Sequence, residues 1–546
     1  MGEPMDFKKL VIYQIYPKSF MDSDGDGLGD LQGVISRLDH IQNLGCNCIW
    51  LTPIYISPQR DNGYDVADYT AIDPRYGSMD DFDELVKQCQ KRDIFIMLDM
   101  VFNHTSDKHA WFQKALEGCS KHREYYFFVK SEKPPTNWAS KFGGSAWEAV
   151  GDEYFLHLFD KSQPDLNWEN PEVQAEVYAI MDFWLKKGIR GFRFDVVNLI
   201  SKPEVFEDDF EGDGRRFYTD GRNVHKHLKS LNTNTFGKYQ NTVTVGEMSS
   251  TTIDNCIKYS NPDEKELDMV FNFHHLKVDY KDGDKWSLKP FDFAQLKGIL
   301  HTWQVGMERG GGWSALFWCN HDQPRAVSRF GDDSEYHEKS AKMLATAIHL
   351  MRGTPFIYQG EEIGMTNHYF DDINKYRDVE SLNYFEILKA QGVAERDIME
   401  ILSKRSRDNA RTPMQWDNTA NAGFSAGLPW IEPASNYTEI NAESALADDD
   451  SIFYHYKKLV ELRKTHDIIA YGSYSPAFEE HANVFAYIRQ LGDEKLLVVC
   501  NFFSEETQID LGAIQVGDVL LSNYCDNIMN GSCMTLRPYE ALAIWI

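Results

Sequence analysis

The sequence predicts an α/β protein: a (β/α)8 TIM barrel with an inserted subdomain after the third strand and a C-terminal all-β sandwich domain. Short apolar runs alternate with amphipathic stretches, polar side chains collect where the apolar runs end, and the pattern changes after about residue 470. At 546 residues the chain exceeds the length at which one hydrophobic core stops growing, so we expect two or three domains.

The barrel is predicted from apolar runs that are short enough, and apolar enough, for strands buried on both faces. They span residues 11–16, 48–52, 94–101, 191–195, 242–247, 269–272, 315–320 and 356–359. Helical patterns lie between them at 31–44, 79–92, 171–187, 223–231, 293–307 and 337–352. The helix at 171–187 has the clearest start, with Asn170 as N-cap and Pro171 in its first turn. A doubly wound open sheet is the alternative, but polar residues at the C-terminal ends of the runs favour the barrel.

Two segments depart from this alternation. Residues 104–170 are rich in aromatic residues and glycine without a clear helix, which indicates a subdomain inserted into a βα loop. Following a helical stretch at 452–464, residues 471–546 contain short β-branched or alternating runs separated by turn residues, typical of a small β domain. The barrel is therefore expected to comprise residues 1–103 and 171–470.

The charge balance excludes several classes of partner. Lys and Arg number 56 against 84 Asp and Glu, a formal net charge of -28, which disfavours nucleic acids and anionic membranes. No signal segment or membrane-spanning apolar run is evident, and the 9 cysteines show no disulfide spacing. We therefore expect a cytoplasmic monomer that needs no organic cofactor and has a small-molecule partner, with neither nucleic acid nor membrane among its partners.

Acidic residues lie near the ends of several predicted strands. Asp99, Asp195, Glu247 and Asp322 are each associated with a different apolar run. Arg193 precedes Asp195 by two positions, so both share one strand face and the arginine would keep the aspartate ionised. One such acid would be a loop cap, but several on one barrel rim form a candidate catalytic cluster. Paired carboxylates suit glycosidic bond cleavage, one as nucleophile and one as proton donor.

The motifs around these acids carry a family resemblance. They are Asp99-Met-Val-Phe-Asn-His104, Gly191-Phe-Arg-Phe-Asp195, Val245-Gly-Glu247 and Asn320-His-Asp322. Together they resemble the four signature regions of the α-amylase superfamily, glycoside hydrolase family 13. The resemblance implies a retaining mechanism in which Asp195 is the nucleophile, Glu247 the general acid/base, and Asp322 the acid that fixes the sugar ring in the transition state.

Two further motifs, Asp61-Asn-Gly-Tyr64-Asp65 and Arg411-Thr-Pro-Met-Gln-Trp416, resemble the oligo-1,6-glucosidase branch of that superfamily. In that branch the residues matching Asp61 and Arg411 close the end of the pocket and bind the terminal glucose. The resemblance also implies that Tyr64 stacks on the sugar ring, whose C–H face suits an aromatic surface. The remaining expected pocket residues are His104, Phe159, Gln163, Arg193 and His321, and Phe159 is equally typical of a core aromatic.

Longer segments at 211–221, 245–250, 271–280, 316–325 and 359–365 resemble the trehalose-6-phosphate hydrolases, or phosphotrehalases, of the same branch. This implies cleavage of trehalose 6-phosphate to glucose and glucose 6-phosphate. An oligo-1,6-glucosidase or dextran glucosidase acting on neutral isomaltose-type sugars is the alternative, and a sucrose isomerase is a third. A phosphate dianion needs nearby cations in so acidic a chain. The candidates are Lys277, Lys285, His275 and Arg325.

A metal site is predicted in a glycine-rich loop after the first strand. Its oxygen ligands stand at alternate positions: Asp22, Asp24, Asp26, the carbonyl of Leu28, and Asp30. Oxygen ligands suit hard cations, so we expect a structural Ca2+, with Mg2+ as the alternative. The loop begins like an EF-hand, but Gly33 replaces the bidentate glutamate that closes that motif. An Asp/Gly turn without an ion is the other interpretation.

Overall fold

The computed structural model describes residues 6–526, 528–530 and 532–546, so residues 1–5 of the first predicted barrel segment lie outside the described residues. Parallel strands form the central sheet: β1 (Ile12–Ile15), β2 (Cys48–Leu51), β3 (Phe95–Met100), β4 (Gly191–Phe194), β5 (Val243–Glu247), β6 (Met269–Phe271), β7 (Ala315–Leu316) and β8 (Thr354–Tyr358). Their order is β6-β5-β4-β3-β2-β1-β8-β7. A parallel bridge between Val270 and Ser314 joins the two edges, which confirms the predicted barrel.

The barrel strands are buried along nearly their whole length. β1, β2 and β4 have no exposed residue, and Phe95 is the one exposed position in β3. Helices cover the outer face of the barrel and side chains fill its interior. If apolar and polar residues alternated along a strand, polar side chains would be buried without hydrogen-bond partners on one of the two faces. This double burial is why continuous apolar runs identified the strands in the sequence.

Helices surround the sheet and continue beyond β8. The predicted helix at 31–44 is divided at Arg37, whose φ of -112° and ψ of 8° are not helical. Asn170 caps the helix after the insertion through its side chain, as expected. None of the helices in the described chain has the length and apolar character needed to cross a membrane. The α-helices are Leu31–Ser36, Leu38–Leu44, Met79–Gln90, Ala110–Leu116, Ser120–Arg123, Pro171–Lys186, Arg215–Tyr218, Val224–Asn234, Ile253–Ser260, Phe293–Arg309, Ala326–Phe330, His337–His349, Val379–Ala390, Glu395–Arg405, Asp408–Arg411, Ala442–Ala447, Ile452–Thr465 and Asp467–Tyr471.

The segment between β3 and the helix Pro171–Lys186 contains a small antiparallel sheet of its own. Its strands are Phe128–Lys130, Glu153–Leu156 and Trp147–Val150, with Glu153–Leu156 in the centre. A buried ion pair of 2.7 Å between Lys202, after β4, and Asp165 fastens this segment to the barrel. The segment therefore has a fixed position above the C-terminal ends of the barrel strands.

The C-terminal region folds into antiparallel sheets. One contains Ser473–Ala477, Val484–Leu491, Glu494–Asn501, Ala541–Trp545 and Val519–Ser522, and the other contains Thr507–Asp510, Cys533–Leu536 and Ile528–Asn530. This confirms the predicted all-β class of the domain.

Arg489 joins this domain to the barrel. Its buried guanidinium donates to the carbonyls of Ser473, Leu350, Ile469 and Gly472, at 2.5 to 3.1 Å. These bonds span a strand of the C-terminal domain, its preceding linker and the end of a barrel helix. Burial lowers the pKa of Arg489 to about 10, yet its guanidinium stays charged at neutral pH.

We expect Arg489→Met to lower the free energy of unfolding by about 3 kcal/mol, because it leaves buried carbonyls without donors. Chemical denaturation measures the change. Arg396→Met is the matched control, since its side chain is 93% exposed and its loss should cost less than about 0.5 kcal/mol. Equal effects of the two substitutions would contradict the role assigned to Arg489.

Candidate active site

The predicted acids meet at the C-terminal rim of the barrel. Strand register places Asp99 of β3 directly beside Arg193 of β4. Asp195 follows β4, Glu247 ends β5, and Asp322 lies in the loop after β7. Parallel strands deliver their C-terminal ends to one rim, so residues distant in sequence converge there.

Arg193 is the centre of this cluster. Its guanidinium is 1% exposed and donates from Nη1 to Asp99 Oδ1 at 2.7 Å and to Asp195 Oδ1 at 2.6 Å. Its second terminal nitrogen, Nη2, donates to Glu247 Oε2. One buried cation therefore serves three carboxylates, and negative charge remains in excess.

This excess charge separates the pKa values of two acids. Burial, together with repulsion from Asp195 and Asp322, raises the pKa of Glu247 to about 8, against the opposing effect of Arg193. Burial would also raise the pKa of Asp322, but the guanidinium groups of Arg407 and Arg411 hold it well below its usual range. At neutral pH the cluster thus presents a protonated glutamic acid beside ionised Asp322, a combination suited to acid catalysis.

Asp61 is paired with Arg407, a residue that the sequence prediction missed. Arg407 Nη2 donates to Asp61 Oδ1 at 2.8 Å, whereas Arg411 Nη2 donates to Asp322 Oδ1 at 2.7 Å. Arg407 rather than Arg411 therefore forms the ion pair with Asp61, and binding of the terminal glucose by Asp61 and Arg411 stays a prediction. The sequence spacing could have identified Arg407. Arg407 and Arg411 are four residues apart around a short helix, so both face the site.

Histidine and aromatic side chains complete the inner part of the site. Tyr64 stacks on His321 with ring centroids 5.0 Å apart and donates its hydroxyl to Asp99 Oδ2 at 2.9 Å. His104 lies 5.2 Å from Phe159 between centroids, and Gln163 Nε2 donates to Asp61 Oδ2 at 3.0 Å. The structure therefore brings together the glucose-pocket residues expected from the sequence.

The hydrogen bond to Gln14 defines which nitrogen of His321 carries the proton. Its Nδ1 accepts from Gln14 Nε2 at 2.8 Å, so the ring proton is on Nε2. That Nε2 is buried and lies 3.4 Å from Asp322 Oδ2, and among the described residues it forms no hydrogen bond. Burial lowers the pKa of His321 to about 3, so the ring is neutral and can donate to a ligand hydroxyl.

An open cavity of about 220 Å3 leads outward from these residues. Glu247, Asp322 and Arg407 line its inner end. The outer wall is formed by Lys141, Lys277, Tyr280, Lys285 and Glu380, contributed by the inserted segment, the loop after β6 and the helix Val379–Ala390. Acids and cations therefore line the same cavity.

Two of these cations lack carboxylate partners. Lys285 Nζ donates to Glu380 Oε2 at 2.6 Å, but within the described chain neither Lys141 nor Lys277 forms an ion pair within 4.0 Å. Lys141 Nζ donates instead to Ser249 Oγ at 3.2 Å. Burial, with repulsion from Arg215 and Lys277, lowers the pKa of Lys141 to about 7. Burial and Arg215 also lower the pKa of Lys277.

His275 and Arg325 are corrections to the predicted set of cations. His275 Nε2 lies 2.9 Å from the carbonyl of Phe317 and borders a different small cavity, because a 3-10 turn at His274–Lys277 directs it away from Lys277. Arg325 is 1% exposed and donates to the carbonyls of Gln359, Asn409 and Ala410. Both side chains are structural and face away from the cavity.

The predicted cation loop gathers three carboxylates. Oxygen atoms of Asp22, Asp24 and Asp30 lie within 4.8 Å of one another. Asp26 is exposed and lies outside this group of three, although burial and repulsion from Asp24, Asp22 and Asp30 raise the pKa of its carboxyl. A divalent cation would relieve this repulsion, so the donor set fits a hard metal ion. The loop packs on Ser425, whose hydroxyl donates to Asp22 Oδ2 at 2.5 Å.

Comparison with known proteins gives close matches over nearly the whole chain. Residues 14–472 match the model of the alpha-amylase catalytic domain, and residues 484–542 match the alpha-amylase SusG C-terminal domain. A trehalose-6-phosphate hydrolase of Bacillus subtilis is 56% identical, over 98% of this chain and 97% of its own. An oligo-1,6-glucosidase of Bacillus cereus is 48% identical, over 98% of both chains. The crystal structure of Bacillus licheniformis trehalose-6-phosphate hydrolase superposes with a TM-score of 0.94, at 56% identity and 99% coverage of both chains.

Proposed function

Because this chain belongs to the α-amylase family of glycoside hydrolases, we propose that it hydrolyses trehalose 6-phosphate to glucose and glucose 6-phosphate. The observation that carries this substrate is the pair of cations without carboxylate partners, Lys141 and Lys277, in the cavity wall. Placing two mutually repelling ammonium groups together costs stability unless an anion joins them. The relatives at 53–56% identity that bear the name trehalose-6-phosphate hydrolase support the same substrate.

The catalytic roles follow from the charge arrangement. Asp195 attacks the anomeric carbon of the glucose unit while Glu247 transfers its proton to the glycosidic oxygen, which releases glucose 6-phosphate. Water, deprotonated by Glu247, then attacks the glucosyl-enzyme ester and regenerates both acids. Asp195 and Glu247 contact the two terminal nitrogens of one guanidinium, and this proximity supports the short spacing of a retaining glycosidase.

The inner pocket binds the glucose unit that is transferred to Asp195. Asp61 and Arg407 accept and donate hydrogen bonds at the closed end, and ionised Asp322 accepts from ring hydroxyls. His321 donates from Nε2, and Tyr64 presents an aromatic surface already stacked on that histidine. Opposite charges fixed before the substrate arrives need little reorganisation in the transition state.

The phosphate belongs on the leaving-group side. Lys141 Nζ donates to Ser249 Oγ, two residues after Glu247, so this lysine lies on the general-acid side of the site. Lys277 and Lys285 approach from the loop after β6. A neutral isomaltose-type substrate, the alternative from the oligo-1,6-glucosidase branch, gives no physical reason for the unpaired lysines.

We expect Lys141→Met combined with Lys277→Met to raise KM for trehalose 6-phosphate about a hundredfold, because two charge-assisted bonds to phosphate are lost. Steady-state hydrolysis of trehalose 6-phosphate, trehalose, isomaltose and 4-nitrophenyl α-glucoside measures the effect, which should be far smaller for the unphosphorylated substrates. Lys281→Met, at an exposed lysine of the same loop, is the control for the loss of one positive charge outside the cavity. A wild-type protein that prefers isomaltose would refute the proposed substrate.

We expect hydrolysis of 4-nitrophenyl α-glucoside to decline as the pH rises through about 8. The raised pKa of Glu247 keeps its proton in place below that pH, and the general acid is lost above it. Because this substrate has no phosphate, the titration of Lys141 should not contribute to the measured pH dependence. In Glu247→Gln the residual activity should lack this alkaline decline, and its persistence would assign the titration to another group.

The cation loop is proposed to hold Ca2+, with Mg2+ as the alternative. Asp22, Asp24, Asp26, Asp30 and the carbonyl of Leu28 would hold the ion. Its charge would neutralise the clustered carboxylates and stabilise the packing of the loop against Ser425. The protein's own reaction chemistry needs no organic cofactor, and we propose that it acts as a monomer in the cytoplasm, where its nine free cysteines stay reduced.

EDTA should lower the melting temperature, and added Ca2+ should restore it, because an ion bound only by the folded loop stabilises the native state. Differential scanning calorimetry measures both changes. Asp24→Asn should weaken the Ca2+ response, while Asp39→Asn, on an exposed helix face, should leave it intact. A melting temperature indifferent to EDTA and Ca2+ would indicate an ion-free turn.

A further inference from the structure

The phosphate-facing wall is built on a loop with little regular structure. Residues between β6 and the helix Phe293–Arg309 contain a 3-10 turn at His274–Lys277 and otherwise no helix or strand. Lys277, Tyr280 and Lys285 of this loop line the cavity. Since irregular loops are usually mobile, precise placement of these side chains requires contacts from elsewhere in the fold.

A buried acid in the middle of the loop is bound by two arginines. Arg329 donates to Asp279 in a bidentate manner, from Nε to Oδ2 at 2.9 Å and from Nη2 to Oδ1 at 2.8 Å. Arg405 donates from Nη1 to Asp279 Oδ2. The three side chains are 4–7% exposed. We call Asp279, Arg329 and Arg405 the loop triad.

The same arginines bind the loop backbone on both sides of Asp279. Arg329 Nη2 donates to the carbonyl of Leu276, adjacent to Lys277. Arg405 Nη2 donates to the carbonyl of Asp279 and, at 3.2 Å, to that of Ser287, two residues after Lys285. The loop is thereby attached at three points that bracket both lysines.

The triad also contacts the cavity wall itself. The guanidinium carbons of Arg405 and Arg329 lie 5.4 and 5.8 Å from the ring centroid of Tyr280. Arg329 Nη1 donates to Gln323 Oε1 at 2.8 Å, and Gln323 lines the cavity immediately after Asp322. The triad therefore connects the lysine loop with the loop that carries the glucose-binding acid.

We propose that the loop triad is a positioning device that determines specificity for the phosphorylated substrate, acting through Lys277, Tyr280 and Lys285. This inference rests on the proposed function. None of the three residues lines the cavity that contains the catalytic acids, and all three border a separate cavity, so their effect is transmitted through the loop.

Electrostatics and positioning predict opposite outcomes when Asp279 is neutralised. Asp279→Asn removes a negative charge near the lysines, so a purely electrostatic contribution would strengthen phosphate binding. It also removes the acceptor that joins the two guanidinium groups and leaves them to repel each other, which would release the loop. The positioning proposal therefore predicts weaker binding of the phosphorylated substrate despite the more positive surroundings.

The test measures kcat and KM of Asp279→Asn with trehalose 6-phosphate and with 4-nitrophenyl α-glucoside. We expect KM for trehalose 6-phosphate to rise about tenfold, as for the loss of one charge-assisted bond to phosphate, and kcat/KM for the aryl glucoside to change less than about twofold. Arg329→Lys is the second variant. It keeps the charge but loses the bidentate fork, so it should raise the same KM.

Glu540→Gln is the matched control for stability, because Glu540 is a fully buried acid bound bidentately by Arg537 in the C-terminal domain. It should lower the melting temperature without changing the ratio of the two KM values. A lower or unchanged KM for trehalose 6-phosphate in Asp279→Asn, or an unchanged KM in Arg329→Lys, would overturn the positioning role. A wild-type enzyme with no preference for trehalose 6-phosphate over trehalose would instead overturn the proposed function, so the two failures are distinct.

Discussion

The sharing of one buried guanidinium among three carboxylates is the interaction on which the site depends. Arg193 compensates part of the charge of Asp99, Asp195 and Glu247, and burial together with repulsion from Asp195 and Asp322 keeps a proton on Glu247. Full compensation would ionise all the acids and leave no proton donor. No compensation would make the buried cluster too costly to fold. The barrel supplies the required geometry because neighbouring parallel strands present residues at one rim.

The second constraint is the recognition of an anion by an acidic protein. The formal net charge is -28, but salt screens exposed charges beyond about 8 Å at physiological ionic strength. A few cations in a confined cavity can therefore determine the local electrostatic potential. Lys141 and Lys277 are suited to this because they are half-buried in the cavity wall and lack carboxylate partners within the described structure. Lys285 is partly compensated by Glu380, which ties it to the helix Val379–Ala390.

The inserted segment contributes residues both to the phosphate-binding wall and to the glucose pocket. Its turn at residues 140–144 carries Lys141 toward the leaving-group side and places Phe142 against the guanidinium of Arg407, 4.7 Å from the ring centroid. The Lys202–Asp165 ion pair fixes the segment beside β4. Substrate selectivity and the closed end of the glucose pocket thus depend on one element outside the barrel.

The fold class and the acid cluster could be predicted from the sequence, because burial on both faces leaves a continuous apolar run and the rim acids follow directly after those runs. It also identified Asp61, Tyr64, His104 and His321, which stand in short motifs. The partners of the cations became visible only in the folded protein: Arg407 rather than Arg411 pairs with Asp61, Lys141 is an additional wall residue, and His275 and Arg325 have structural roles. Charge pairing depends on side-chain direction and on contacts between residues hundreds of positions apart, and local sequence patterns encode neither.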